Sequence, residues 1–129
     1  MNIKIPLNPI TKKNSQRIFI NGRTGRPFVV PSEKFKEYQE NAGFFLRRFG
    51  RYSGEYPVNI RYLFYMKTKR RVDLTNLMES ADDVLTHYGI IEDDSAAFIG
   101  GHDGSRVLYD KDNPRTEIYI SKLADSGGE

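Results

Sequence analysis

Val58-Asn59-Ile60-Arg61-Tyr62-Leu63-Phe64-Tyr65-Met66 decides how the rest of the chain is read. Val58, Ile60, Tyr62, Phe64 and Met66 alternate with Asn59, Arg61, Leu63, Tyr65 and Lys67, the period of two that a strand requires. Leu63 and Tyr65 make the far half of the second face apolar, which predicts a central strand covered there on both sides. A basic loop follows, Lys67 to Arg71. Leu74, Leu77, Met78, Ala81, Val84, Leu85 and Tyr88 then recur at helical spacing over about Asp73 to His87, and Gly89 ends the run.

Towards the N-terminus, Ile3, Ile5 and Leu7 alternate as a short strand, which Pro6 and Pro9 confine to a sheet edge. Thr11 to Arg17 is a polar loop rich in donors. Ile18-Phe19-Ile20 and Pro27-Phe28-Val29-Val30 flank Asn21-Gly22-Arg23-Thr24-Gly25, a hairpin signal with a slightly longer loop. Ser32 fits an N-cap, with Glu33 in the first turn. Phe35, Tyr38, Ala42, Phe45, Leu46 and Phe49 make a helical stripe, with Arg47 and Arg48 in its last turn and Gly50 as its stop. This aromatic stripe reads as core rather than as a platform for bases.

Towards the C-terminus, Ile90-Ile91 leads into Glu92-Asp93-Asp94. Ala97-Phe98-Ile99 and Arg106 to Tyr109 read as two short strands around Gly100 to Gly104, or as one strand with a bulge. Glu117 to Ser121 alternates as a last strand, and residues 124–129 read as a flexible tail. The expected fold is α+β, a mixed β-sheet with two main helices packed on one face. Its order is β, ribbon, α, β, α, β, β, in one domain over residues 1–123.

The whole chain sets limits on function. At 129 residues it has the length of one domain and can bury a core without covalent staples. It contains no cysteine, which excludes disulfides, thiolate catalysis and cysteine-held metals. It shows no signal-like or membrane-spanning apolar run, so a soluble, cytoplasmic protein is expected. The formal net charge is +3, but its distribution says more. Lys12, Lys13, Arg17, Arg23 and Arg26 crowd the first loop and ribbon. Arg47, Arg48 and Arg51 crowd a helix end, and Lys67, Lys69, Arg70 and Arg71 the central loop. Acids concentrate between Asp73 and Asp94. That segregation suits a polyanion gripped around an acidic centre, and ordinary solvated surface is the competing reading.

On the second helix Asp73, Asn76, Ser80, Asp83 and His87 form a stripe beside the core face, while Thr75, Glu79, Asp82 and Thr86 are expected to point away. Asp73, Asn76 and Asp83 fall in one line by i, i+3 and i+7 spacing. Carboxylates bordering a core need a positive partner, and Mg²⁺ takes one or two carboxylates plus water and phosphate oxygens. Such an ion can polarise a phosphodiester and activate water. Asp73 equally fits a plain N-cap, with Val72 and Leu77 as a hydrophobic staple. Asp83 equally fits a salt bridge to arginine, His87 a dipole partner and His102 a loop residue.

Arg70-Arg71-Val72-Asp73-Leu74-Thr75-Asn76-Leu77, then Asp83-Val84-Leu85, then Gly89-Ile90-Ile91-Glu92-Asp93-Asp94-Ser95 resembles the RusA family of Holliday junction resolvases. Pro9 with Lys12, Lys13, Asn14 and Ser15 resembles the family's N-terminal loop. The resemblance implies a small homodimeric, Mg²⁺-dependent endodeoxyribonuclease of the kind common in prophages, for which Mn²⁺ is an alternative ion. Its partner would be four-way branched DNA in recombination and repair, nicked symmetrically on paired strands, with no small-molecule cofactor. By position it implies Asp73, Asn76, Asp83 and Asp94 as catalytic residues. It implies Asp73, Asp83, Asp93 and Asp94 as metal-binding acids, and Lys12, Lys13, Asn14, Arg17, Lys69, Arg70 and Arg71 as DNA contacts. Thr75 stands where the best-known form has a second aspartate, and Glu79 where it has a lysine. A catalytically weak or silent branched-DNA-binding protein is therefore the alternative reading.

Overall fold

Alternation in the central stretch does become a strand, and that strand organises the molecule. In the computed structural model, which describes residues 1–12, 16–31 and 33–124 (backbone alone for 16–19 and 28–31), nine elements follow one another. They are β1 (Asn2–Ile5), β2 (Gln16–Ile20), β3 (Pro27–Pro31), α1 (Glu33–Leu46), β4 (Val58–Met66), α2 (Leu74–His87), β5 (Ile99–Gly101), β6 (Arg106–Tyr109) and β7 (Arg115–Lys122). This is the expected mixed α+β order. β2 and β3 form a separate two-stranded ribbon. Its turn is held by Asn21, whose Oδ1 accepts from Arg23 N and Thr24 N.

β4 pairs antiparallel with β7 on one side and parallel with β5 and β6 on the other. β1 pairs with β7 alone and so forms an edge, where Pro6 costs no ladder hydrogen bond. β5 and β6 are one strand with an interruption. Gly101 lies opposite Asn59 and Arg106 opposite Leu63, so five steps here face four along β4. The extra residue is accommodated by side chains. Asn59 Oδ1 accepts from Asp103 N at 2.7 Å, and Ser105 Oγ accepts from Tyr62 N at 3.0 Å. Gly104 completes the bulge at φ +86°, a backbone state that other residues seldom adopt.

Val58, Ile60, Tyr62 and Phe64 turn one face of β4 into the core, with Ile118 and Ile120 from β7 and Ile3 and Ile5 from β1. α1 adds Phe35, Ala42 and Leu46, and α2 adds Leu77, Val84 and Leu85. Side chains of this size contribute about 1.5–3 kcal/mol each when fully buried, which outweighs the modest intrinsic helicity of either helix. Among the described residues no helix is long and apolar enough to cross a membrane.

Two local expectations change. α1 ends at Leu46, a turn earlier than the aromatic stripe suggested, and Arg47 to Phe49 form a turn before Gly50 at φ +68°. On the second face of β4, Leu63 and Tyr65 are only partly buried. Tyr65 is instead covered by the Arg115 guanidinium, 3.7 Å from the ring centre. Ser32, expected as a helix cap, and residues 125–129, expected as a tail, lie outside the described residues.

Candidate functional site

The start of α2 is built by Asp73. Its backbone is extended, at φ −96° and ψ 122°, and its Oδ1 accepts from Thr75 N at 2.8 Å and Asn76 N at 3.3 Å. That satisfies two of the amides a helix leaves unpaired at its first turn. Val72 packs against the core beside buried Leu77, as a hydrophobic staple does.

In front of this helix start lies a basic cleft. Lys69, Arg70 and Arg71 line a space of about 410 Å³ together with Met66, Thr68, Val72, Val107, Leu108 and Tyr109. No carboxylate is among these residues, and all three cations are exposed. Lys69 Nζ sits 5.0 Å from the centre of the Tyr109 ring. The arrangement suits phosphate, since no acid lining the space neutralises these cations.

The middle of α2 anchors the N-terminal loop. Ser80 Oγ donates to Asn76 O and accepts from Lys12 N, both at 2.8 Å. Lys12 Nζ lies 3.4 Å from Asp83 Oδ2. Asp83 therefore has a lysine as its partner, where an arginine was one expectation. Both side chains are over a third exposed, so the pair adds little stability. Lys13 and Asn14 lie outside the described residues, as does the side chain of Arg17.

Asp82 overturns the expected helix face. Helical spacing points it away from the core, yet it is 8% exposed. Tyr62 donates its hydroxyl to Asp82 Oδ1 at 2.6 Å. His102 Nε2 lies 2.8 Å from Oδ2 and 3.0 Å from Oδ1, with its ring stacked on Tyr62. Burial, then the neighbouring Asp82 charge, pushes the Tyr62 phenol well above its ordinary range. The physical reason is the interrupted β5–β6 strand, which extends the sheet beneath that side of α2. A signal was present in the sequence: Asp82 is i+4 from Met78 and i−3 from Leu85, both core positions. His102 is a loop residue as expected, but a partnered one.

The acids after α2 stand apart from those before it. Glu92 N donates to the Tyr56 hydroxyl, and Ser95 O accepts from Phe98 N and Ile99 N. Ile99 pairs with Val58, so Asp93 and Asp94 lie at the entry to β4. Val72 shares the basic cleft with Met66, so Asp73 lies at the exit of β4. The 14 residues of α2 between them span roughly 20 Å. Asp73 and Asp94 are thus not brought together within one chain. His87 is exposed and meets Tyr88 edge-on. Among the described residues no three His, Asp or Glu side chains gather as a metal site. Mg²⁺ takes one or two carboxylates besides water and phosphate oxygens, so what these residues lack is a site built on three.

The chain matches no family model and no curated protein.

Proposed function

We propose that the protein is a RusA-type, structure-selective endodeoxyribonuclease that acts on four-way branched DNA as a homodimer. The observation that carries this reading is the cleft lined by Lys69, Arg70 and Arg71, free of carboxylates and set against the Asp73-capped start of α2. It brings the basic half of the Arg70–Leu77 motif into one concave surface of a size that accepts a nucleotide. Phosphate contacts of this kind hold any DNA and make binding fall with salt. Mg²⁺ belongs to the reading as its metal. Because Asp73 and Asp94 are separated in one chain, an ion joining them needs carboxylates from two subunits, so the metal and the homodimer stand or fall together.

The test is a nicking assay on a labelled four-way junction with Mg²⁺ and with Mn²⁺. Symmetric nicks that disappear in Asp73→Asn and in Asp94→Asn, with junction binding retained, are expected. Wild-type-like cutting by Asp73→Asn would overturn the assignment of that residue. The separation of Asp73 from Asp94, together with Thr75 and Glu79 at two motif positions, favours a second reading: a branched-DNA-binding protein that does not cut. Tight junction binding with no nick in either metal is its expected signature.

A further inference from the structure

We infer that Tyr109 is a stacking residue for an unpaired base, and that it gives the basic cleft its preference for branched or single-stranded DNA over duplex. This deepens the proposed function and rests on it. Cations in a cleft grip phosphate wherever it occurs, so they cannot tell a branch point from a plain helix. Discrimination needs a group that meets something only opened DNA offers, namely the face of a base.

Tyr109 is placed for that task. Large apolar side chains that stand exposed are few among the described residues: Ile20, Phe44, Val107 and Tyr109. Two of these four lie in the basic cleft, Tyr109 being 47% and Val107 38% exposed. Both belong to β6, which is held in register on β4 through Val107 opposite Phe64 and Tyr109 opposite Met66. Asp110 N donates to Met66 O and fixes the strand end just beyond the ring. The ring is therefore carried on a rigid strand, which limits the order that must be gained on binding. Val107, two residues earlier on the same side of the strand, widens the apolar floor.

Charge complementarity identifies the occupant. Lys69, Arg70 and Arg71 line the same cleft as the ring, and no acid lines it. Lys69 already rests over the Tyr109 ring. An exposed cation over an aromatic ring is a weak contact and yields to a base, which frees the ammonium to meet the phosphate of the same nucleotide. An aromatic ring beside a cationic wall is the pairing by which single-stranded nucleic acid is held. In the open form of a four-way junction the pairs flanking the crossover have lost a stacking neighbour, so extruding a base costs less there than inside a duplex.

The experiment measures binding of three labelled DNA probes by fluorescence anisotropy at fixed low salt: a duplex, a single strand of equal length and an immobile four-way junction. Tyr109→Ala is expected to weaken binding to the strand and the junction by about 5- to 150-fold while duplex binding stays within about twofold. Tyr109→Phe keeps the ring and is expected to match wild type, which separates stacking from loss of fold should the alanine variant melt early. Paired Arg70→Ala and Arg71→Ala substitutions are expected to weaken all three probes and flatten the salt dependence. Tyr109→Ala and Tyr109→Leu binding the three probes in the wild-type ratio would overturn the inference and leave the proposed function standing. Wild-type protein that binds none of the probes would overturn both.

Discussion

Asp82 Oδ2 lies 2.8 Å from His102 Nε2, so one buried carboxylate joins α2 to the interruption between β5 and β6. Tyr62 adds a third element by donating to the same carboxylate from β4. A carboxylate taken out of water is costly unless its oxygens are filled, and here both are. The bulge explains how this is arranged. One extra residue opposite β4, held by Asn59 and Ser105, places the imidazole against the helix. Tyr62→Phe is expected to cost about 1–3 kcal/mol by leaving Asp82 one donor short. His102→Ala, which strips the carboxylate of its imidazole partner, is expected to cost about 1–3 kcal/mol. Urea denaturation of both single variants and of the double variant checks this. Strictly additive losses would show that the three side chains do not act as one network.

The proposed function gives Asp73 a second role beside its cap, and substitutions can separate the two. Asparagine keeps an oxygen that accepts from Thr75 N and Asn76 N, and alanine removes it. Asp73→Ala is expected to lose about 0.5–2 kcal/mol of stability, while Asp73→Asn stays within about 0.5 kcal/mol of wild type. If the proposed function holds, both variants lose nicking alike. Thermal melts run beside the junction assay distinguish the outcomes. An equal fall in Tm for the two variants would mean that the charge on the helix dipole matters more than the capping hydrogen bonds.

The fold was legible where periodicity is long and one face is buried. Val58 to Met66 alternates without a break, and its helix-facing residues are the buried ones. Pro6 and Pro9 announced the edge position of β1, and Asn21-Gly22 announced the ribbon. The site was less legible because spacing along a helix fixes angles, not what lies opposite. Asp82 is on a polar-looking face only if nothing packs there, and β5–β6 does. Its partner His102 is 20 residues away in sequence, within a glycine-rich turn whose aim depends on one bulge. The convergence of Asp73 with Asp94 was an expectation about the fold. The antiparallel run of α2 along β4 puts them at its two ends.

Alkaline pH is expected to destabilise the protein through phenols packed in or against the core. Desolvation raises Tyr38, a partly buried side chain packed against the core, to about 12 from an ordinary value near 10. Tyr62 moves in the same direction. An acid whose folded-state value is raised holds its proton more tightly when folded, so its stabilising effect is complete below pH 10. The effect fades as pH climbs through about 12. For Tyr38 that corresponds to at most roughly 2–3 kcal/mol. Urea midpoints between pH 9 and 12 should fall, and the fall should be shallower in Tyr38→Phe. An identical slope in that variant would remove Tyr38 from the account.

The separation of Asp73 and Asp94 gives the proposed homodimer its sharpest test. Mix Asp73→Asn subunits with Asp94→Asn subunits and allow exchange. If the acids of one subunit serve one site, every site in the mixture carries a substitution and no nicking returns. If each site takes Asp73 from one subunit and Asp94 from its partner, the mixed dimer regains one intact site and keeps one doubly substituted. Random pairing then restores about a quarter of wild-type sites. The regained activity has a character of its own, because a dimer with one working site nicks one strand of a junction and leaves the paired strand whole. The expected product of the mixture is therefore nicked junction without resolved duplexes, read directly on native and denaturing gels. Dead mixtures made from two separately well-folded variants would place any shared metal within one subunit, against the placement of these residues at opposite ends of β4.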